Sequence, residues 1–263
     1  MRSQSAIQEP FGRAGGFASR PRSNPARGNA RPTRPLPHAA PPCRSQGFTL
    51  PDFLVVLAVL AVLVAVTVPI IANSKAKARQ AQCFANLQQV TQAVLLYAND
   101  NHGVLPQLPP NSPNPTWWFY KEQVKGYVGL RGSSSPHDTV FACPDDRGYD
   151  AAGPFCRSKK FDYGSYNFNG VNLPWMPHVA GRQVSTIRDP ARTLLVMEWT
   201  AHAPLSWHRS LTGKKNSPFY NNAENMVGFV DGRVKFIPIY YDGVNAAYTR
   251  DPIPGYEYKY SGD

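Results

Sequence analysis

Residues 44–79, RSQGFTLPDFLVVLAVLAVLVAVTVPIIANSKAKAR, join a basic, glycine-terminated leader to a long apolar run. From Phe53 to Ile71 there are nineteen residues without a charge, nearly all aliphatic. As a helix rising 1.5 Å per residue they cover roughly 28 Å, close to the hydrocarbon thickness of a bilayer, and the run is expected to span a membrane. A secretory signal peptide has the same basic-then-apolar order, but its apolar core is usually about 7–15 residues long and ends in a small-x-small cleavage site. Here the run is longer, and Val68-Pro69-Ile70-Ile71 leads directly into a polar helical segment, so removal after the run is not expected. Asp52 stands at the threshold of the run. A carboxylate carried into hydrocarbon costs about 2–3 kcal/mol, so an acid kept there calls for a partner. Pro51 is tolerable in a first helical turn, whereas Pro69, deep in the helix, is expected to kink or locally unwind it.

Upstream, residues 1–47 hold eight arginines, no lysine, one acid and eight prolines, with almost no aliphatic periodicity, the composition of a disordered tail. Of the formal charge of +11, most belongs to this segment, because the remainder carries 20 basic against 16 acidic residues, a charge of +4. The arginines have no interleaved aromatics and no recognisable binding fold, so no nucleic-acid partner is expected. They read as a topology signal that keeps the amino terminus in the cytoplasm, blunted by Lys75, Lys77 and Arg79 on the far side.

Downstream the helix continues. Ala81, Phe84, Leu87, Val90, Val94, Leu95 and Ala98 recur at steps of three and four, with glutamines on the other faces, and this stripe needs a sheet to cover it. Asn99-Asp100-Asn101-His102-Gly103 supplies stop chemistry, with glycine suited to a left-handed cap. The division is then a leader over 1–47, a helix over 48–101 (membrane part about 53–71, amphipathic stem about 72–100) and a β-rich head over 102–263, an α+β chain. Within the head, Arg192–Trp199 reads as a buried strand, and Met226–Ile237 as two strands joined at Asp231-Gly232 by a tight two-residue turn.

Gly47-Phe48-Thr49-Leu50-Pro51-Asp52-Phe53-Leu54-Val55-Val56 resembles the prepilin cleavage and methylation motif of type IV pilins and type II secretion pseudopilins. The resemblance implies scission by a prepilin peptidase between Gly47 and Phe48, N-methylation of Phe48, and a pilin-like fold. The family's glutamate, which neutralises the terminal amine of a neighbouring subunit, is replaced by Asp52, one methylene shorter. Pro51 also departs from the family's usual aliphatic residue. The later segments AQCFANLQQ (81–89), YANDN (97–101), FACPD (141–145) and FVDGRV (229–234) resemble a pilin-like group of planctomycetes and verrucomicrobia. That group commonly has a histidine with nine residues between it and the Asp-Gly pair, where this chain has Asn221. Only the amino-terminal motif is specific.

Of the cysteines, Cys43 belongs to the leader. Cys143 and Cys156 share a loop-rich stretch of an exported domain and are the expected disulfide, with a Cys83–Cys143 bridge pinning head to stem as the competing pairing. No CxxC or HxxxH spacing appears, so no metal site is expected, and no cofactor. His202, His208 and Glu198 can be drawn as a metal set, but isolated loop histidines are mostly bland. Asp145, Asp146 and Asp150 could hold calcium through hard oxygens, although acid-rich turns are usually just solvated. The runs Trp117–Tyr120 and Tyr256, Tyr258, Tyr260 could offer a glycan or partner surface, though the first is more often core and the second an edge strand. Serine-elbow, zinc-protease and phosphate-loop motifs are missing, so the chain is not expected to be an enzyme.

Two functions from different classes follow. One is a structural subunit of a secretion or pilus-like filament, partnered by the peptidase and other subunits in the inner membrane. The other is a single-pass anchored, periplasm-facing binding or enzymatic domain that borrows only the export signal.

Overall fold

The computed structural model describes residues 47–109, 117–148, 153–171, 176–202, 205–208, 223–240 and 251–263. The leader up to residue 46, Asp150 and Asn221 lie outside them. The chain divides into two compact units, Met1–Phe53 and Leu54–Asp263.

Of the first unit, residues 47–53 are described, and they open helix α1 (Leu50–Asp100). The first helical bond runs from the amide of Phe53 to the carbonyl of Thr49 (3.2 Å), which makes Thr49 the capping residue.

In the second unit α1 runs unbroken through Pro69, without the local unwinding expected there. A proline removes one backbone bond and crowds the carbonyl four residues back, and neither effect ends the helix here. Around it, the hydroxyls of Thr67 and Ser74 bond back to the carbonyls of Leu63 (2.8 Å) and Ile70 (2.8 Å). Every residue from Leu54 to Ile71 is exposed, Val62 for instance at 64%, and α1 is the one described helix long and apolar enough to cross a membrane. The helix ends where His102 (φ 58°) and Gly103 (φ 79°) both turn left-handed, and the Gly103 amide closes back on the Ala98 carbonyl at 2.7 Å.

Among the described residues four antiparallel strands form one sheet in the order β1 (Tyr166–Phe168), β2 (Leu194–Glu198), β3 (Ala223–Phe229), β4 (Val234–Ile239). The strands expected at Arg192–Trp199 and Met226–Ile237 are β2 and the β3–β4 hairpin. Pro238 sits exposed on β4, an edge strand, where a missing ladder donor is tolerated. The hairpin turn differs from the two-residue form expected. The Gly232 amide bonds to the Phe229 carbonyl (2.9 Å) and the Phe229 amide to the Arg233 carbonyl (2.9 Å), so three residues form the loop. A two-residue type I′ turn needs positive φ at both central positions, but here Gly232 is left-handed (φ 87°) and Asp231 is not.

The sheet is buried on both faces. One face packs on the carboxy-terminal half of α1 through Leu195, Val196, Met226 and Val234. The other, through Leu194, Met197, Val227, Phe229 and Ile237, is covered by Ile253, Tyr258 and Tyr260. A bulge between Leu194 and Val196 breaks strict alternation, and all five residues of β2 are buried. Tyr258 and Tyr260 are therefore core rather than a glycan surface, and Lys259 between them makes an isolated parallel bridge to Thr193 just before β2. Trp117, Trp118 and Phe119 also pack on the core, and Tyr120, in the short helix α2 (Tyr120–Val124), is fully buried.

The buried stripe of α1 follows the one expected at Leu87, Val90, Val94 and Ala98, with Leu95 half-buried beside them, but it also takes in Cys83, Asn86, Thr91 and Ala93, whereas Ala81 and Phe84 are exposed. Polar contacts set this phase. Asn86 donates to the carbonyls of Thr139 (2.9 Å) and Ala142 (2.8 Å), and Gln88 and Gln92 both donate to the carbonyl of Gly232 (2.9 and 3.2 Å). Where β3 crosses the helix the approach is so close that a Cβ on Gly228 would stand 2.1 Å from Thr91 Oγ1.

Candidate functional site

Two groups of residues carry chemistry. In the first unit, Gly47 and Phe48 are exposed, Phe48 at 77%. Asp52 is also exposed, and one of its carboxylate oxygens accepts from both the backbone amide (3.0 Å) and the hydroxyl (2.6 Å) of Thr49. This is the acidic half of a capping box, with aspartate in the third helical position accepting from the cap residue, a T-x-x-D spacing that could have been read from the sequence. Asp52 thus has a partner within its own chain.

The second group lies inside the other unit, where α1 meets the sheet. Cys83 of α1 is bonded to Cys143, with Cα atoms 4.7 Å apart. The bridge expected between Cys143 and Cys156 is not formed, and the competing pairing is the one present. The packing of α1 gives the reason, since Asn86, one turn beyond Cys83, holds the carbonyl of Ala142 beside Cys143. The free Cys156 thiol is half-buried, its pKa pushed up to about 11 by desolvation and then by Asp146.

Against this bridge stands His208. The Ser206 hydroxyl accepts its backbone amide (3.1 Å), and the neighbouring Trp207 is buried against Phe155 with its indole N–H on the Gly148 carbonyl (3.3 Å). The ring places Nε2 2.8 Å from Glu198 Oε1 and 3.7 Å from Cys143 Sγ, and Nδ1 3.1 Å from Asp145 Oδ2. Glu198, at the end of β2, is fully buried, and its second oxygen accepts the Met226 amide (2.9 Å). Asp145 extends the chain to Arg79 of α1 (2.6 Å). Burial opposes protonation of His208, but Glu198 and Asp145 outweigh it and hold its pKa above the ordinary value. One ligand atom from each of Cys83, Cys143, Glu198 and His208 lies within 4.8 Å of all the others.

The structure thus joins Glu198 and His208 from the set drawn from sequence and leaves out His202. That ring bonds the Asn167 amide and stands edge-on to Trp117, with centroids 4.0 Å apart. Burial drives its pKa down to about 3. The acids drawn as calcium ligands diverge. Asp145 is held by His208 and Arg79, whereas Asp146 accepts from the amides of Gly148 (2.9 Å), Phe155 (3.2 Å) and Cys156 (2.9 Å) and from the Ser165 hydroxyl (2.8 Å). Asp146 organises a loop with every oxygen engaged, which is a structural duty.

Set against known proteins, the chain matches no protein-family model, no curated protein and no solved structure.

Proposed function

We propose that the chain is a structural subunit, a pseudopilin or minor pilin, of a type II secretion or type IV pilus-like filament. The observation that carries this reading is the sequence Gly47-Phe48-Thr49-Leu50-Pro51-Asp52 placed directly before an exposed, uncharged apolar helix. In this reading the helix rests in the inner membrane, with the leader in the cytoplasm and the sheet-bearing part in the periplasm. A prepilin peptidase cuts after Gly47 and methylates Phe48. The processed helix then moves laterally into a helical bundle, where Asp52 pairs with the amine of Phe48 in a neighbour. The work of the chain is assembly, and it needs no catalytic residue.

The Thr49–Asp52 cap favours a second reading, a single-pass anchored domain facing the periplasm, because there Asp52 needs no neighbour. Intact and amino-terminal mass spectrometry of the protein from its native membrane separates the two. A terminus at methylated Phe48 supports the filament subunit. A retained leader, or a cut beyond Ile71, moves the assignment to an anchored or secreted domain.

A further inference from the structure

We propose that Cys83, Cys143, His208 and Glu198 form a closed binding site for a thiophilic divalent cation, with zinc as the test ion, filled when the Cys83–Cys143 bridge is reduced. Disulfide and metal are then alternative cross-links between α1 and the sheet. The inference does not depend on the filament reading.

The donor set is the first support. Two sulfurs, one imidazole nitrogen and one carboxylate oxygen suit zinc, which takes four such ligands in structural sites. Geometry is the second. Tetrahedral bonds of about 2.0–2.3 Å hold ligand atoms roughly 3.3–3.8 Å apart. His208 Nε2 already stands 2.8 Å from Glu198 Oε1 and 3.7 Å from Cys143 Sγ, and all four donors lie within 4.8 Å of one another.

The surroundings are the third. Asp145 engages His208 at Nδ1 and is itself fixed by Arg79, so Nε2 is the nitrogen turned to the cluster. A carboxylate behind a ligating histidine is the usual outer support of a metal site. The Met226 amide holds the far oxygen of Glu198 in the same manner. Cys83 and Glu198 are fully buried and Cys143 nearly so. All four coordination positions come from the protein, which is the mark of a structural rather than a catalytic ion.

The chemistry balances with a dithiol as reductant. Two electrons from the dithiol break the Cys83–Cys143 bond, the dithiol closes to its own disulfide, and each cysteine sulfur takes a proton. Zinc then displaces to solvent the two thiol protons and the Nε2 proton through which His208 bonds Glu198 Oε1, and binds two thiolates, the imidazole so freed at Nε2 and the Glu198 carboxylate.

The test uses the full chain in detergent, reduced with a dithiol and freed of it by anaerobic gel filtration. Zinc retained per chain is then counted by elemental mass spectrometry, and cobalt(II) serves as a spectroscopic substitute. The reduced chain is expected to retain about one zinc and the oxidised chain none. Cobalt should give thiolate charge-transfer bands and the visible bands of a tetrahedral ion. Asp145→Asn, which disturbs only the outer support, should weaken zinc about 10–100-fold, and His208→Ala or Glu198→Gln at least as much. Cys156→Ser should change nothing. The proposal is overturned if the reduced chain holds no zinc, if cobalt shows no thiolate bands, or if Cys156→Ser rather than His208→Ala abolishes retention. If the reduced, metal-free chain loosens, zinc must restore its near-ultraviolet circular dichroism, and failure to do so overturns the proposal as well.

Discussion

Thr49 gives both its backbone amide and its hydroxyl to a single oxygen of Asp52, so the acid proposed for assembly also closes the amino terminus of its own helix. The two duties separate in Asp52→Asn, because a carboxamide oxygen still accepts the Thr49 bonds but carries no charge to attract an amine. Cleavage after Gly47 is expected to continue, while sheared filaments should fall at least about tenfold, equivalent to 1.4 kcal/mol of association. Normal filaments from Asp52→Asn, with wild-type amounts of processed subunit, would sink the assembly role and leave only the cap.

Gly228 of β3 and Thr91 of α1 lie so close that an added Cβ meets Thr91 Oγ1 at 2.1 Å and Cγ2 at 3.0 Å. Threonine is stiff about χ1 and both residues are buried, so Gly228→Ala should cost about 1–3 kcal/mol in denaturant unfolding. Adding Thr91→Ala should recover part of that loss, a positive coupling in a double-mutant cycle. The buried Thr91 hydroxyl has no hydrogen-bond partner among the described residues, so Thr91→Val alone should be neutral or slightly stabilising. Strict additivity of Gly228→Ala and Thr91→Ala would show that the helix does not approach the sheet at this point.

The parts of the fold legible in the sequence are those whose signal is local. The apolar run before Asn73, the strand at Leu194–Glu198 and the β3–β4 hairpin each follow from composition, burial period or a turn dipeptide. The phase of α1 was harder to read, because Asn86 and Thr91 lie on the buried face while Phe84 does not, and only the carbonyls of Thr139 and Ala142 explain why an asparagine is wanted there. Tyr258 and Tyr260 are core because the chain's last residues cover the second face of the sheet, which no short-range period encodes. Of the cluster of Cys83, Cys143, Glu198 and His208, the sequence offered the Glu198–His208 half, whereas the two cysteines come from segments far from that pair along the chain, which no ligand spacing encodes.

His202 makes stability depend on pH with a definite sign. Burial pushes its pKa from 6.5 down to about 3, so the folded chain keeps the ring neutral while the unfolded chain protonates it below about 6.5. The stabilisation is complete above pH 6.5 and is lost progressively as pH falls toward about 3. Between pH 7.5 and 5 the loss from this ring is about 2 kcal/mol. His178, also depressed by burial and then by Arg182, acts in the same direction, so the useful comparison is with His202→Gln. Urea unfolding at the two pH values should show a clearly smaller difference in His202→Gln than in the wild type, and equal differences would mean that the ring is not held neutral.

Cysteine chemistry is open to direct mapping. A non-reducing digest should contain a peptide linking Cys83 to Cys143 and none linking Cys143 to Cys156. The Cys156 thiol, raised to about 11 by burial and by Asp146, is almost wholly protonated at pH 8, so iodoacetamide should modify it far more slowly in the folded chain than in urea. Equal rates would place Cys156 in open solvent.

Asp146 offers the sharpest test of the loop that carries Cys143. Three backbone amides and the Ser165 hydroxyl converge on its carboxylate, which is only 7% exposed. Asp146→Ala leaves those donors buried without an acceptor, at a cost of about 1–3 kcal/mol for each that water does not reach. Unfolding measurements should show a loss of at least about 3 kcal/mol, whereas Asp146→Asn, which keeps one acceptor oxygen, should lose less. Both oxygens are already committed, so calcium should leave the melting temperature unchanged, and a rise reversed by a chelator would show that the carboxylate serves an ion instead of the loop.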